Sequence, residues 1–304
     1  MKTKKLSIGL RKKKELILKQ KNTAKSIALL LIPILMLTLA SCNTANNSNN
    51  NETEQNSNNQ TKTIEIIGST SVQPIAEILA EKFTNDNPEF IINYQGVGSS
   101  KGIVAVKDGT CDIGTSSREL KEEEKNWGLK EYIIAIDGIA IAVHPNNPVK
   151  TLTKEQAVKI FTGEITNWQE VGGNSSNITL LSREAGSGTR GAFEELLNIQ
   201  DKVSKNALIF DGNGSMKAAI ASNETAIGYL SFGFIDNSIK TLPIDGAEAT
   251  VENVLNSSYK LSRPFIMLTQ NNISNSAKQF LDFVLSDAGQ KIITDEGYIP
   301  VSDQ

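Results

Sequence analysis

From Thr63 onward, short apolar runs alternate with segments whose apolar residues recur at helical spacing, and this alternation narrows the possible folds more than any other feature. Ile64, Ile66 and Ile67 predict a strand; Val72, Ile75, Ala76, Leu79 and Phe83 then fall on one face of a helix. Ile91, Ile92 and Tyr94 predict the next strand, followed by a short helix through Ile103, Val104 and Val106. Tyr132–Val143 (YIIAIDGIAIAV) reads as a long buried strand. Lys154–Phe161, Thr189–Leu197 and Met216–Ala221 read as helices, Thr179–Leu181 and Ala226–Leu230 as strands, and Ala277–Ile293 as one amphipathic helix. Strand–helix alternation of this kind defines an α/β class. No solenoid period repeats along the chain.

The first forty residues stand outside that pattern. A basic stretch from Lys2 to Lys25 leads into Ile27–Ala40 (IALLLIPILMLTLA), an apolar run too short to span a bilayer comfortably. Basic approach and short apolar run together have the form of a secretory signal peptide, expected over residues 1–41. The run ends in Leu39-Ala40-Ser41-Cys42, which resembles the lipobox of prokaryotic lipoproteins. That resemblance implies lipidation of Cys42 and anchoring to the cell membrane. Residues 42–62, rich in Asn and with almost nothing to bury, read as a disordered tether.

Charge and cysteine usage exclude several functions. Residues 1–41 carry a net +9 within a chain of net −3, so the remainder carries −12. An acidic surface of that size argues against a nucleic-acid partner. It also requires any anion site to make its positive potential locally. With Cys42 committed to lipid, Cys111 has no intrachain disulfide partner and reads as a small buried side chain. The only histidine, His144, has no second His or Cys nearby, which argues against a Cys/His metal site or His-based catalysis.

Three segments share a design of strand, glycine turn dense in hydroxyls, then helix. They are Gly68-Ser69-Thr70-Ser71, Gly96-Val97-Gly98-Ser99-Ser100 and Gly186-Ser187-Gly188-Thr189. Hydroxyls at a helix start can cap its orphan N–H groups; with an anion present, hydroxyls and N–H groups can instead converge on it. One such loop is ordinary capping, but three together point to anion binding. Arg183, at the end of a strand just before the third loop, can supply a charge and a planar fork of donors. The enzyme motifs fail. Gly186-Ser187-Gly188 is not G-x-S-x-G, Gly102 is one residue out of register for a dinucleotide fingerprint, and Lys101 lacks P-loop neighbours. Donors without an activated nucleophile describe a binder, with no cofactor expected.

These residues carry a family resemblance. GSTSVQP (68–74), YQGVGSSKG (94–102), DIGTSSREL (112–120), FTGEITNW (161–168) and SREAGSGTRGAF (182–193) resemble the phosphate-binding proteins of ABC-type phosphate transporters, and AIGYLSFG (226–233) and GYIPV (297–301) agree. The resemblance implies a type II periplasmic-binding-protein fold, two α/β lobes joined by two crossover strands. Lobe I would comprise 63–142 and 261–304, and lobe II 143–260, with crossovers near Ala140–His144 and Leu261–Ile266. It implies phosphate ligands Thr70, Ser71 and Ser99 from one lobe and Arg183, Ser187, Gly188 and Thr189 from the other. The implied partners are inorganic phosphate and the permease subunits of the importer, met by a monomer tethered at the membrane. Many members carry, two residues after the D-x-G-x element, an aspartate that accepts the proton of hydrogen phosphate; here that position is Ser117. Asp137, in AIDGIAI, is the candidate replacement acceptor or else a capping or hinge carboxylate, with Glu119 and Glu184 as further alternatives. Receptors for sulfate or molybdate on the same fold, a phosphate-sensing or adhesion lipoprotein without a transporter, and an enzyme such as a phosphatase are the rival readings.

Overall fold

The computed structural model describes residues 61–301. The expected signal peptide, Cys42 and the expected tether as far as Gln60 lie outside the described residues. The elements in chain order are β1 (Lys62–Gly68), α1 (Gln73–Asp86), β2 (Phe90–Gly96), α2 (Ser99–Lys107), β3 (Ile113–Ser116), α3 (Glu122–Lys125) and β4 (Lys130–Val143). Next come α4 (Lys154–Thr162), β5 (Thr179–Arg183), α5 (Gly188–Leu197), β6 (Leu208–Phe210), α6 (Gly212–Ser222) and β7 (Ala226–Ser231). The chain closes with β8 (Lys240–Thr241), α7 (Val251–Leu255), β9 (Ser262–Thr269), α8 (Asn275–Leu285), α9 (Asp287–Asp295) and β10 (Ile299–Pro300).

Hydrogen-bonded strands follow the order β2-β1-β3-β9-β4-β7-β5-β6, with β8 and β10 also on β4. The two ends of this path are parallel: β1 with β2 and β3, and β5 with β6 and β7. Between them β4 and β9 run antiparallel, with a register shift between Ile133 and Ala135. β4 changes partner along its length, pairing with β9 as far as Gly138 and with β7 from Ile139. One strand thus belongs to both halves of the molecule.

The cores segregate accordingly. One draws on Ile64, Ile75, Leu79 and Phe83 near the start and on Phe265, Phe280 and Tyr298 near the end. Ile103, Val106, Leu120 and Leu268 extend that half on the other side of the sheet. The other half buries Phe161, Trp168, Phe193, Tyr229 and Tyr259, with Met216 and Ile220 packed behind β7. Helices cover both faces of strands that read as apolar runs, as parallel sheets require. α1 shows the local logic: Pro74 sits in its first turn, where no N–H is missed, and Ile75, Ala76, Leu79, Ala80 and Phe83 form its buried face.

Two expectations need correction. The single helix expected over Ala277–Ile293 is two helices, because Ser286 is extended (ψ 163°) and serves as C-cap of α8 and N-cap of α9. Its hydroxyl accepts from Gly289 N at 3.3 Å and donates to Phe283 O at 2.7 Å, so the break is hydrogen-bonded on both sides. Cys111 is half-buried rather than buried, and desolvation still pushes its thiol up to about 11. No described helix is long and apolar enough to cross a membrane.

Candidate functional site

Four helix N-termini, those of α1, α2, α5 and α6, are brought to the junction between the two halves. Each start carries partial positive charge from its unpaired N–H groups. Neither Val72, the N-cap of α1, nor Gly98, the N-cap of α2, supplies a side-chain cap. At α5 the Ser187 hydroxyl does cap, accepting from Arg190 N at 3.2 Å. At the α1 loop the Ser69 hydroxyl likewise accepts from Ser71 N at 3.1 Å and Val72 N at 3.4 Å, so helix capping accounts for two of the three glycine–hydroxyl loops and leaves that of α2 unexplained.

The hydroxyls of these loops meet one another. Ser71 Oγ and Thr189 Oγ1 are 2.8 Å apart, joining the α1 loop to α5. Ser117 N donates to Ser99 Oγ at 3.1 Å, and Ser69 Oγ donates to Ser117 Oγ at 2.8 Å. Ser71, Ser99, Ser117, Ser187 and Thr189 are all buried, and Thr70 is half-buried. Glycine permits the approach. Gly98 has φ 100°, and Ser100 N donates to Gly186 O at 3.2 Å directly across the junction. A Cβ on Gly188 would collide with Ser99 Oγ and Ser117 Oγ.

Arg183 supplies the charge. Its guanidinium is 1% exposed. Nε and Nη2 grip Glu184 at 2.9 Å each, and Nη2 also donates to Thr70 Oγ1 at 3.2 Å in the opposite half. Nη1 is buried with no acceptor among the described residues. A charged donor buried without an acceptor costs several kilocalories per mole, so this group calls for an anionic partner. Arg190 braces the strand end, donating to Arg183 O at 2.9 Å while pairing with Glu194 at 2.6 Å.

All the candidate residues except Asp137 fall in one hydrogen-bonded cluster or directly against it. Asp137 is buried and its partner is Arg263, Nη2 to Oδ2 at 3.0 Å. No hydrogen bond joins Asp137 to the hydroxyls; the link runs through Arg263, which also donates to Ser71 Oγ at 3.2 Å and Ser117 O at 3.0 Å. Burial pushes the Asp137 carboxyl above its ordinary value, and the Arg263 guanidinium draws it back only in part. Of the other acceptor candidates, Glu184 is taken up by Arg183 and Glu119 is exposed.

Two residues of the cluster escaped the sequence reading. Arg263 had a signal, a cation in the apolar run SRPFIML at the predicted second crossover. Asn213, 1% exposed at the second position of α6, donates from Nδ2 to Ser71 Oγ at 2.9 Å and Thr70 Oγ1 at 3.4 Å. Its segment, Asp211-Gly212-Asn213-Gly214-Ser215 after β6, is a fourth strand–glycine–helix element. The described residues hold no group of three or more His, Cys, Asp and Glu side chains suited to a metal.

Two α/β lobes sharing antiparallel crossover strands, with helix starts from both lobes facing one junction, define the substrate-binding proteins of the type II periplasmic-binding-protein fold. The comparisons with known proteins agree. Residues 53–288 match the PBP superfamily domain. The phosphate-binding protein PstS of Bacillus subtilis is 37% identical over 245 residues, covering 79% of this chain and 81% of the relative. The structure of a Clostridium perfringens protein assigned as a phosphate ABC transporter substrate-binding protein, solved with bound phosphate, is 48% identical. It superposes with a TM-score of 0.78 and covers 79% of this chain and 100% of that one. An ABC-type phosphate transport receptor of Vibrio cholerae gives 41% identity and a TM-score of 0.68 over 79% of this chain and 100% of that one. The chain belongs to the phosphate-binding proteins of ABC transporters.

Proposed function

We propose that the interlobe site binds inorganic phosphate outside the cytoplasm and presents it to the permease subunits of an ABC importer. The observation that carries this reading is Arg183 Nη1, a buried cationic donor without a partner among the described residues, set where helix starts and hydroxyls of both lobes converge. Thr70, Ser71, Ser99 and Ser117 would contribute from lobe I. Arg183, Ser187, Gly188 and Thr189 would contribute from lobe II. The lobes are taken as 63–142 with 261–304, and 143–260. Closure removes water, so each donor acts on the anion in a low dielectric. The Glu184 carboxylate leaves Arg183 only part of its charge for the ligand, and the helix starts make up the rest.

The protein acts as a monomeric binder without turnover, held at the membrane by lipid on Cys42 after removal of residues 1–41. The basic lead, the short apolar run and the sequence Leu39-Ala40-Ser41-Cys42 support that part of the reading. Selectivity against sulfate is assigned to Asp137, acting on the site with Arg263. Calorimetric titration of the purified protein with phosphate, sulfate and molybdate tests the reading. Saturable one-to-one binding of phosphate, with weak or no binding of the other two, is expected. Tighter binding of sulfate or molybdate would transfer the site to that anion.

A further inference from the structure

We propose that Asn213 is a positioning residue that fixes the hydrogen-bond polarity of the site, turning Thr70 and Ser71 into obligate donors and so selecting anion oxygens that carry no proton. The proposal rests on the phosphate reading above and adds to it the protonation state that lobe I presents itself to.

A hydroxyl has one proton and two lone pairs. Ser71 Oγ receives Asn213 Nδ2 at 2.9 Å and Arg263 Nη2 at 3.2 Å. Thr70 Oγ1 receives Arg183 Nη2 at 3.2 Å and Asn213 Nδ2 at 3.4 Å. None of these three nitrogens can accept in return. Both lone pairs of each hydroxyl are therefore used, and each proton must point elsewhere. In the Ser71–Thr189 contact Ser71 is accordingly the donor, and a bound anion oxygen would take that single proton in place of Thr189 Oγ1.

The orientation of the Asn213 amide is itself fixed. Its Oδ1 accepts from Ser231 N at 3.1 Å, and a backbone N–H cannot accept, so Nδ2 must face the hydroxyls. Asn213 sits on α6, in the lobe opposite Thr70 and Ser71. Its two protons reach them only when the lobes meet, so closure itself sets the polarity. Before closure Ser71, held by Arg263 alone, keeps one lone pair and Thr70, whose two donors both come from the other lobe, keeps two, and any of these could take a ligand proton. After closure a protonated phosphate oxygen finds no acceptor at either.

Asn213→Asp reverses the device, because a carboxylate accepts from both hydroxyls and frees their lone pairs. The experiment measures the dissociation constant for phosphate as pH carries it from monoanion to dianion, in wild type, Asn213→Asp and Asn213→Ala, with circular dichroism as a check on folding. Wild type should favour the dianion, and that preference should fall about tenfold in Asn213→Asp, the scale of one hydrogen bond to a charged group. Asn213→Ala should move in the same direction by a smaller factor, and it decides the question alone if the Asp variant does not fold. Weakening by one factor at every pH, or no change, would reduce Asn213 to a packing role and overturn the proposal. A wild type that does not bind phosphate would instead remove the functional reading on which the proposal stands.

Discussion

Asp137 and Arg263 stand opposite one another on the antiparallel strands β4 and β9, and their side chains close a 3.0 Å ion pair with almost no exposure on either side. The pair lies where β4 leaves one lobe for the other. Removing one partner of such a pair strands a buried charge. Asp137→Asn should therefore lower stability by about 3–5 kcal/mol in denaturant unfolding, while a double replacement by apolar residues should recover much of the loss. In paired titrations the same Asn variant should lose phosphate affinity and keep or gain sulfate affinity. Unaltered discrimination would leave Asp137 a purely structural carboxylate.

Arg183→Ala should weaken phosphate binding by about 2–5 kcal/mol, the usual loss on truncating one side of a desolvated charge contact. Arg183→Lys should recover only part of it. An ammonium keeps the charge but cannot grip Glu184 through two nitrogens while donating to Thr70. Calorimetry on the two variants separates charge from geometry.

Gly188→Ala tests closure. The added methyl would press on Ser99 and Ser117 in the facing lobe, an overpacking cost of about 1–3 kcal/mol that exists only when the lobes meet. Phosphate affinity should fall accordingly, and small-angle scattering with saturating phosphate should show a larger radius of gyration than wild type. An unchanged affinity would mean that the helix start shifts to accommodate the methyl.

The acid limb of stability should depend on Glu124. Burial raises its carboxyl, but the Arg118 fork (2.7 and 2.8 Å) and Lys121 N (2.8 Å) outweigh that and hold it below its ordinary value. A carboxylate depressed in the folded state contributes stability above its unfolded value, about 4.3, and loses it as pH falls through the lower folded value. Between pH 5 and acid unfolding, the melting temperature of Glu124→Gln should therefore drop less steeply than that of wild type. Parallel curves for the two proteins would show that the pair contributes no pH dependence.

Most of the architecture was legible because its strands and helices carry period-specific patterns. β1, α1, the long β4 and β7 are each written as an apolar run or a one-sided stripe. What was missed had a weaker local signal. β3, only Ile113–Ser116, is mostly small and polar and is a strand because β1 and β9 flank it. The break at Ser286 is a single residue in an otherwise continuous stripe, so periodicity passes over it. In the site, the glycine–hydroxyl loops announced themselves by composition. Arg263 and Asn213 did not, since their importance lies in which oxygen they donate to, a property of three-dimensional placement. Asp137 was noticed as a charge in an apolar run, but its partner lies on a strand more than a hundred residues later.

The strand order also bears on how the chain matures during synthesis. β9 is inserted between β3 and β4, yet it leaves the ribosome long after both. The core built on Phe161, Phe193 and Tyr229 is drawn from one uninterrupted stretch and is complete before β9 appears. The other core, by contrast, waits for Phe265, Phe280 and Tyr298. Until then β3 and β4 present open edges to whatever they meet, a long-range closure that slows folding and exposes unpaired backbone. A chain that stops before Ser262 thus holds every segment of one core but lacks Phe265, Phe280 and Tyr298 of the other. This gives any chaperone that escorts the chain a defined interval, and a defined pair of strands, to protect.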